Sequence, residues 1–285
     1  MLTHGSLFSG IGGIDLGFER VGIKTRWQVE QDEHCNRVLE KHWPDVRRYR
    51  DIREIDGRNL EPVDIISGGF PCQDISCAGK GKGLSGPRSG LFYEMARVVA
   101  EARPKYVVIE NVPRLTRLGL DIVGEELRLR GYRSLRPLLV EAASVGAPHK
   151  RERIFIVAYD QSQGIGRNGG CEDVSDTDNT PTARQRKHSG EAYPFSESEG
   201  FGLGGMSEWW AVEPCVDRMA NGIPSRVDRL RGIGNAVVPQ VAELIGRILI
   251  KAQEGQHNAN NNNSRYAEPE GTAQVLPEDG TRLYA

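Results

Sequence analysis

His4-Gly5-Ser6-Leu7-Phe8-Ser9-Gly10-Ile11-Gly12-Gly13 joins an apolar run to a cluster of glycines. Residues 4–8 read as a strand, and the glycines behind them turn the chain into a helix that starts near Gly13. A glycine turn between a strand and a helix N-terminus lets a ligand approach the backbone closely, which suits a nucleotide-like cofactor. The dehydrogenase fingerprint needs a third glycine three residues after the second; Asp15 stands there, so a dinucleotide site is disfavoured. Outward from this turn, β-rich apolar runs at 26–30, 63–67, 106–110 and 154–158 alternate with helical patterns beginning near Asp32 and Leu91. Such alternation predicts an α/β fold: a doubly wound, mostly parallel sheet that binds ligands beyond the carboxyl ends of its strands. Glu30 ends the second run about twenty residues after the glycines, where a carboxylate accepts hydrogen bonds from ribose hydroxyls. A tight strand-helix turn with a surface carboxylate is the competing reading.

Composition excludes more than it proposes. The 285 residues suffice for one sizeable core and a small second lobe. No run of about 18 consecutive apolar residues is present, and Met1-Leu2-Thr3-His4 lacks the features of a signal peptide, so a soluble cytoplasmic protein is expected. Five cysteines, odd in number and without a CxxC pair, indicate neither a disulfide framework nor a structural zinc site; a special cysteine would be a free thiol, and no metal is expected. A net charge of -2 gives no whole-protein attraction to nucleic acid, so any such affinity must come from a local basic face.

Two more strand ends carry chemistry. Ser67-Gly68-Gly69-Phe70-Pro71-Cys72-Gln73 puts a thiol on a glycine-rich, proline-fixed turn, a position suited to a nucleophile, although a lone cysteine also serves as a small buried hydrophobe. Glu110, in Ile109-Glu110-Asn111-Val112-Pro113, ends another strand, and Lys150-Arg151-Glu152-Arg153 leads into the last one. Taken singly, these are a loop acid and a solvated charge run.

In order, Phe8-Ser9-Gly10-Ile11-Gly12-Gly13, Gly69-Phe70-Pro71-Cys72-Gln73, Glu110-Asn111-Val112, Arg151-Glu152-Arg153 and Gly234-Asn235-Ala236-Val237-Val238-Pro239 resemble the motifs of the cytosine carbon-5 DNA methyltransferases of bacterial or phage type. The resemblance covers about residues 2–162 and 226–251. It implies a Rossmann-like domain using S-adenosylmethionine, with Phe8, Gly10, Ile11, Gly12, Glu30, Asp51, Ile52, Leu91, Asn235, Ala236 and Val237 around the cofactor. It also implies catalysis by Cys72, Glu110, Arg151 and Arg153 on a cytosine flipped out of double-stranded DNA. The C-terminal helical segment must then fold back beside the first strand.

The expected organisation is a catalytic and cofactor-binding part (1–160), a variable target-recognition region (161–218), a return to the catalytic domain (219–253) and a disordered tail (254–285) opened by an asparagine run. Residues 73–89, rich in glycine and carrying Lys80, Lys82 and Arg88, read as a phosphate-seeking lid rather than a passive linker. Arg226, Arg229 and Arg231 are further candidates for DNA phosphates, and Trp209-Trp210 reads as small-core packing in preference to a stacking platform. Two departures from the family pattern bear on lobe packing and target choice: His149 stands where glutamine is common, and the usual long segment supporting the recognition lobe is not recognisable. An RNA cytosine methyltransferase, a catalytically inactive DNA-binding relative and a dehydrogenase are the rival readings. The first lacks its Cys-Phe-Thr signature here, the second is opposed by the presence of Cys72, Glu110 and Arg153, and the third fails on glycine spacing. A monomer is expected, with a cognate restriction nuclease as a candidate partner.

Overall fold

The structure is a computed structural model that describes residues 1–71, 90–163 and 226–265. Among these, eight strands form one sheet. β1 (Thr3–Leu7), β2 (Lys24–Val29), β3 (Arg47–Tyr49), β4 (Ile65–Gly68) and β5 (Tyr106–Asn111) run parallel in the order β3-β2-β1-β4-β5. β8 (Glu152–Asp160) lies antiparallel beside β5, and β6 (Tyr132–Ser134) and β7 (Leu138–Glu141) both pair with its far edge. The order reverses between β1 and β4, and at such a switch point an open α/β sheet presents its ligand crevice.

The strands readable from sequence include those buried on both faces, β4 and β5, whose every residue is buried. β3, β6 and β7 went unforeseen because they are short or alternate between half-buried and exposed positions at the sheet's margins. The core joins Leu7, Trp27, Ile66, Val107 and Ile156 to α3 (Gly90–Ala102), through Phe92, Met95 and Val99, and to α5 (Leu120–Leu129), through Val123 and Leu127.

Two polar clusters pin the other face. His4 is buried in β1, with Nδ1 3.2 Å from Thr25 Oγ1 on β2 and Nε2 2.7 Å from Ser67 Oγ on β4. Burial lowers its pKa to about 3, so the ring is a neutral cross-strand link. Asp15, buried in α1 (Gly13–Arg20), accepts 3.0 Å hydrogen bonds from Ser6 Oγ on β1 and Gln28 Nε2 on β2. Burial pushes that carboxyl up to about 6. Together these bonds hold α1, and the glycine turn ahead of it, in register with the sheet.

The return of the C-terminal segment to the first strand is carried by α6 (Arg226–Asn235) and α7 (Pro239–Arg265). A Cβ at Gly13 would lie 2.3 Å from the Val237 carbonyl oxygen, and one at Gly17 would lie 2.2 Å from that of Pro239, so α1 admits this segment only where it lacks side chains. The stretch Val227–Gly255 is long and apolar enough to pass as a membrane-crossing helix, but Val241, Ala242 and Ile245 are buried within the domain, as in a core helix. Chain contacts divide the molecule into Met1–Gly246 and Arg247–Ala285; of the second, residues 247–265 are described, and they are helical. Of the tail expected from residue 254, residues up to Arg265 are described as the end of α7, and the rest lies outside the described residues. Once a helix is nucleated, each added residue costs little, and asparagine is only a moderate helix breaker.

Candidate active site

The carboxyl ends of the parallel strands and the start of β8 open on one cavity of about 760 Å³. On one side, Phe8 (φ 54°), Gly10 (φ 56°) and Gly12 (φ 83°) adopt left-handed backbone to turn β1 into α1, and Phe8 does so without glycine's freedom. A Cβ at Gly10 would meet nothing within 4 Å, so this turn faces open space. Glu30 lies just beyond β2. Its Oε2 accepts from Gly10 N and its Oε1 from Asp32 N, both at 2.7 Å, which leaves further lone pairs on each oxygen toward the cavity. Burial raises its pKa despite those bonds. Ile52 is buried after β3, while the Asp51 carboxylate caps the following turn and is engaged by the Arg53 guanidinium, which holds it below the usual carboxylate range. Leu91, Asn235, Ala236 and Val237 complete this wall.

At the other end stands Glu110, 8% exposed, with Oε1 2.9 Å from Arg153 Nε. Burial drives its carboxyl up to about 7, while Arg153 and Arg151 pull it down. The acid is therefore divided between its two protonation states near neutral pH. Gly69 makes room for it, since a Cβ there would sit 2.7 Å from Glu110 Oε2. Asn111, not singled out from sequence, donates from Nδ2 to the Phe70 carbonyl at 3.0 Å and accepts from Val112 N at 2.9 Å. It thereby ties the approach to Cys72 to the strand end that carries Glu110. The signal was present in a buried amide beside a buried acid, but its partner 41 residues away was not readable.

Arg151 differs from Arg153. Its Nη2 donates to the carbonyl oxygens of Gly234, at 2.7 Å, and Ala236, so it clasps the cofactor-side turn to the start of β8 and does not reach Glu110. Ile11 and Gly12 are not on the cavity wall; Ile11 packs beside Gly232 and Gly12 caps α1. Arg231, expected at phosphates, lines the cavity with its guanidinium 3.7 Å from Asp32. Arg229 is exposed on α6, and the side chain of Arg226 lies outside the described residues. So do Cys72, Lys80, Lys82, Arg88, Trp209 and Trp210, together with residues 164–218 of the expected recognition region and 219–225 of the expected return.

A glycine turn and a carboxylate at the switch point of the parallel strands, and a buried acid-guanidinium pair, thus line the same cavity and form one candidate site. Residues 2–192 match the profile of the C-5 cytosine-specific DNA methylase family. The chain belongs to that family. It is 40% identical over 157 residues to the type II methyltransferase M.NgoBI of Neisseria gonorrhoeae, covering 54% of this chain and 49% of that protein. The type II methyltransferase M.HaeII of Haemophilus aegyptius is 36% identical over 157 residues, with the same coverage. Among solved structures, a DNA modification methyltransferase encoded within an E. coli prophage matches 58% of this chain and 49% of its own at 29% identity and TM-score 0.49. The chain spans about half the length of the curated relatives it matches.

Proposed function

We propose that the protein methylates carbon 5 of cytosine in double-stranded DNA, with S-adenosylmethionine as methyl donor and Cys72 as covalent nucleophile. The observation that carries this reading is a cavity that joins the Glu30 and glycine-turn wall to the Glu110–Arg153 pair. The residues present fit the donor: a nucleoside-sized cavity, a carboxylate fixed by two backbone N–H groups to receive a diol, and an open glycine backbone. When bound, the donor supplies an electrophilic methyl group to the reacting carbon.

Carbon 5 of cytosine is a poor nucleophile, and covalent catalysis answers this. The Cys72 thiolate adds to carbon 6, moving an electron pair toward carbon 5 and charge toward the ring nitrogen. Glu110 in its protonated form donates to that nitrogen, while its other oxygen accepts from the exocyclic amine. Its raised pKa keeps the protonated form available near neutrality. Arg153 fixes Glu110 and holds the base carbonyl oxygen. After methylation at carbon 5, the carbon-5 proton leaves and the carbon 6–sulfur bond breaks, regenerating the thiolate. Residues 161–218, outside the family motifs, supply base recognition, and the type II names of the relatives point to a restriction nuclease as functional partner. Incubating the purified chain with duplex DNA and methyl-labelled donor, followed by bisulfite sequencing, should find label at cytosines within one short word. Label absent from DNA, or present on RNA alone, contradicts the reading.

A further inference from the structure

Beyond the cavity, the loops after β5 and before β8 expose Arg114, Arg117, His149 and Lys150. Their strands are adjacent, with Asn111 opposite Ile154, so the loops rise side by side at the rim beside Glu110 and Arg153. Most described arginines elsewhere have carboxylate or carbonyl partners, among them Arg53, Arg58, Arg97, Arg103 and Arg130. Arg114, Arg117 and Lys150 have none among the described residues. The turn that bears the two arginines is nevertheless built firmly. Leu115 between them is buried in the core, Leu115 N donates to Val112 O at 3.0 Å, Arg117 N donates to Arg114 O at 3.1 Å, and Thr116 Oγ1 donates to Pro113 O at 2.8 Å. Val112, which opens the turn, is itself on the cavity wall.

Resting on the proposed DNA substrate, we infer that this rim is a phosphate clamp, with Arg114 and Arg117 gripping the backbone of the target strand next to the extruded nucleotide and Lys150 flanking them. Side chains three apart on a helical turn stand about 5–6 Å apart, close enough to engage neighbouring phosphates of one strand. Glu152 is the nearest carboxylate in sequence to Lys150; it pairs in the ladder with Glu141, on the side of β8 away from β5. Cations held without partners on a fixed turn lose little freedom on meeting phosphate and release condensed counterions from the DNA. Such contacts position the duplex and read no sequence. They are distinct from the arginines of α6 and the lysines of 73–89.

The test is equilibrium binding of the full chain to a mixed-sequence 30-base-pair duplex over a series of salt concentrations. Each phosphate contact contributes about 0.9 to the slope of log affinity against log salt. R114Q/R117Q should reduce the slope by about two and weaken binding by a similar factor on any sequence, with its melting temperature unchanged; R114K/R117K should restore most of the slope. An unchanged slope in a folded R114Q/R117Q protein that binds and methylates DNA overturns the clamp and leaves the proposed function intact. Failure of the wild-type chain to bind any duplex overturns both.

Discussion

Glu110→Gln isolates the energetic cost of the buried acid. The folded protein binds the Glu110 proton with a pKa of about 7, against 4.5 for an exposed glutamate. Each tenfold change in proton affinity is about 1.4 kcal/mol, so ionised Glu110 costs the folded state about 3 kcal/mol relative to the protonated form. Because the folded pKa is raised, the stabilisation is complete below about pH 4.5 and is lost as pH rises through about 7. Wild-type stability should therefore fall, relative to that of E110Q, between pH 5 and 8 and level off above. At roughly 2–4 °C per kcal/mol for a domain of this size, the gap between the two melting temperatures should change by roughly 6–12 °C over that interval. The comparison of the two proteins cancels the other buried groups, including Asp15, which titrates near 6, and His4, whose lowered pKa costs stability only as the pH falls below its ordinary value near 6.5. The constant offset caused by leaving Arg153 without its carboxylate does not alter the pH dependence. Parallel curves for wild type and E110Q in thermal unfolding across pH 5–8 would show that Glu110 carries no raised pKa in the folded protein.

Gly13→Ala drives a methyl group to within 2.3 Å of the Val237 carbonyl and should cost about 1–3 kcal/mol in urea unfolding; Gly10→Ala meets open space, so its penalty should be about 1–2 kcal/mol of backbone strain together with loss of calorimetric donor binding. Arg151→Ala removes two charge-assisted bonds to the Gly234 and Ala236 carbonyls, and should raise the donor Kd and KM about 10–100-fold with a smaller change in kcat. Arg153→Ala should instead lower kcat by about 100-fold or more, since Arg153 touches the acid. Steady-state kinetics that show the same KM-against-kcat pattern for both arginines would dissolve the distinction between clasp and catalyst. Grafting another family member's lobe over residues 161–218 should move the methylated word to that of the donor enzyme, read by bisulfite sequencing; an active chimera retaining the original word would deny the region its role.

The architecture was readable where one local rule sufficed. Residues 63–67 and 106–110 announced β4 and β5 because both faces of those strands are buried, and the glycines at 10–13 announced the turn because no other residue accepts that backbone so cheaply. Placement of Glu30 and Glu110 followed from strand ends alone. What escaped depends on long-range partners. Arg151 sits beside Arg153 in sequence, but its role is set by carbonyls 83 and 85 residues away. Arg231 looked like one more surface cation until the fold brought it to Asp32 and the cavity. Marginal strands such as β3, with Arg47-Arg48-Tyr49, lack the apolar pattern that reveals a buried one.

The proposed Cys72 adduct at carbon 6 can be resolved only when the carbon-5 proton departs. Fluorine cannot leave as a cation, so duplex DNA with 5-fluorocytosine at the target, incubated with the protein and S-adenosylmethionine, should yield a complex that survives denaturing electrophoresis. Peptide mapping should place the link at Cys72, and Cys72→Ala should form no complex. A link mapped to Cys77, or full methylation by Cys72→Ala, would overturn the assignment of Cys72 as nucleophile.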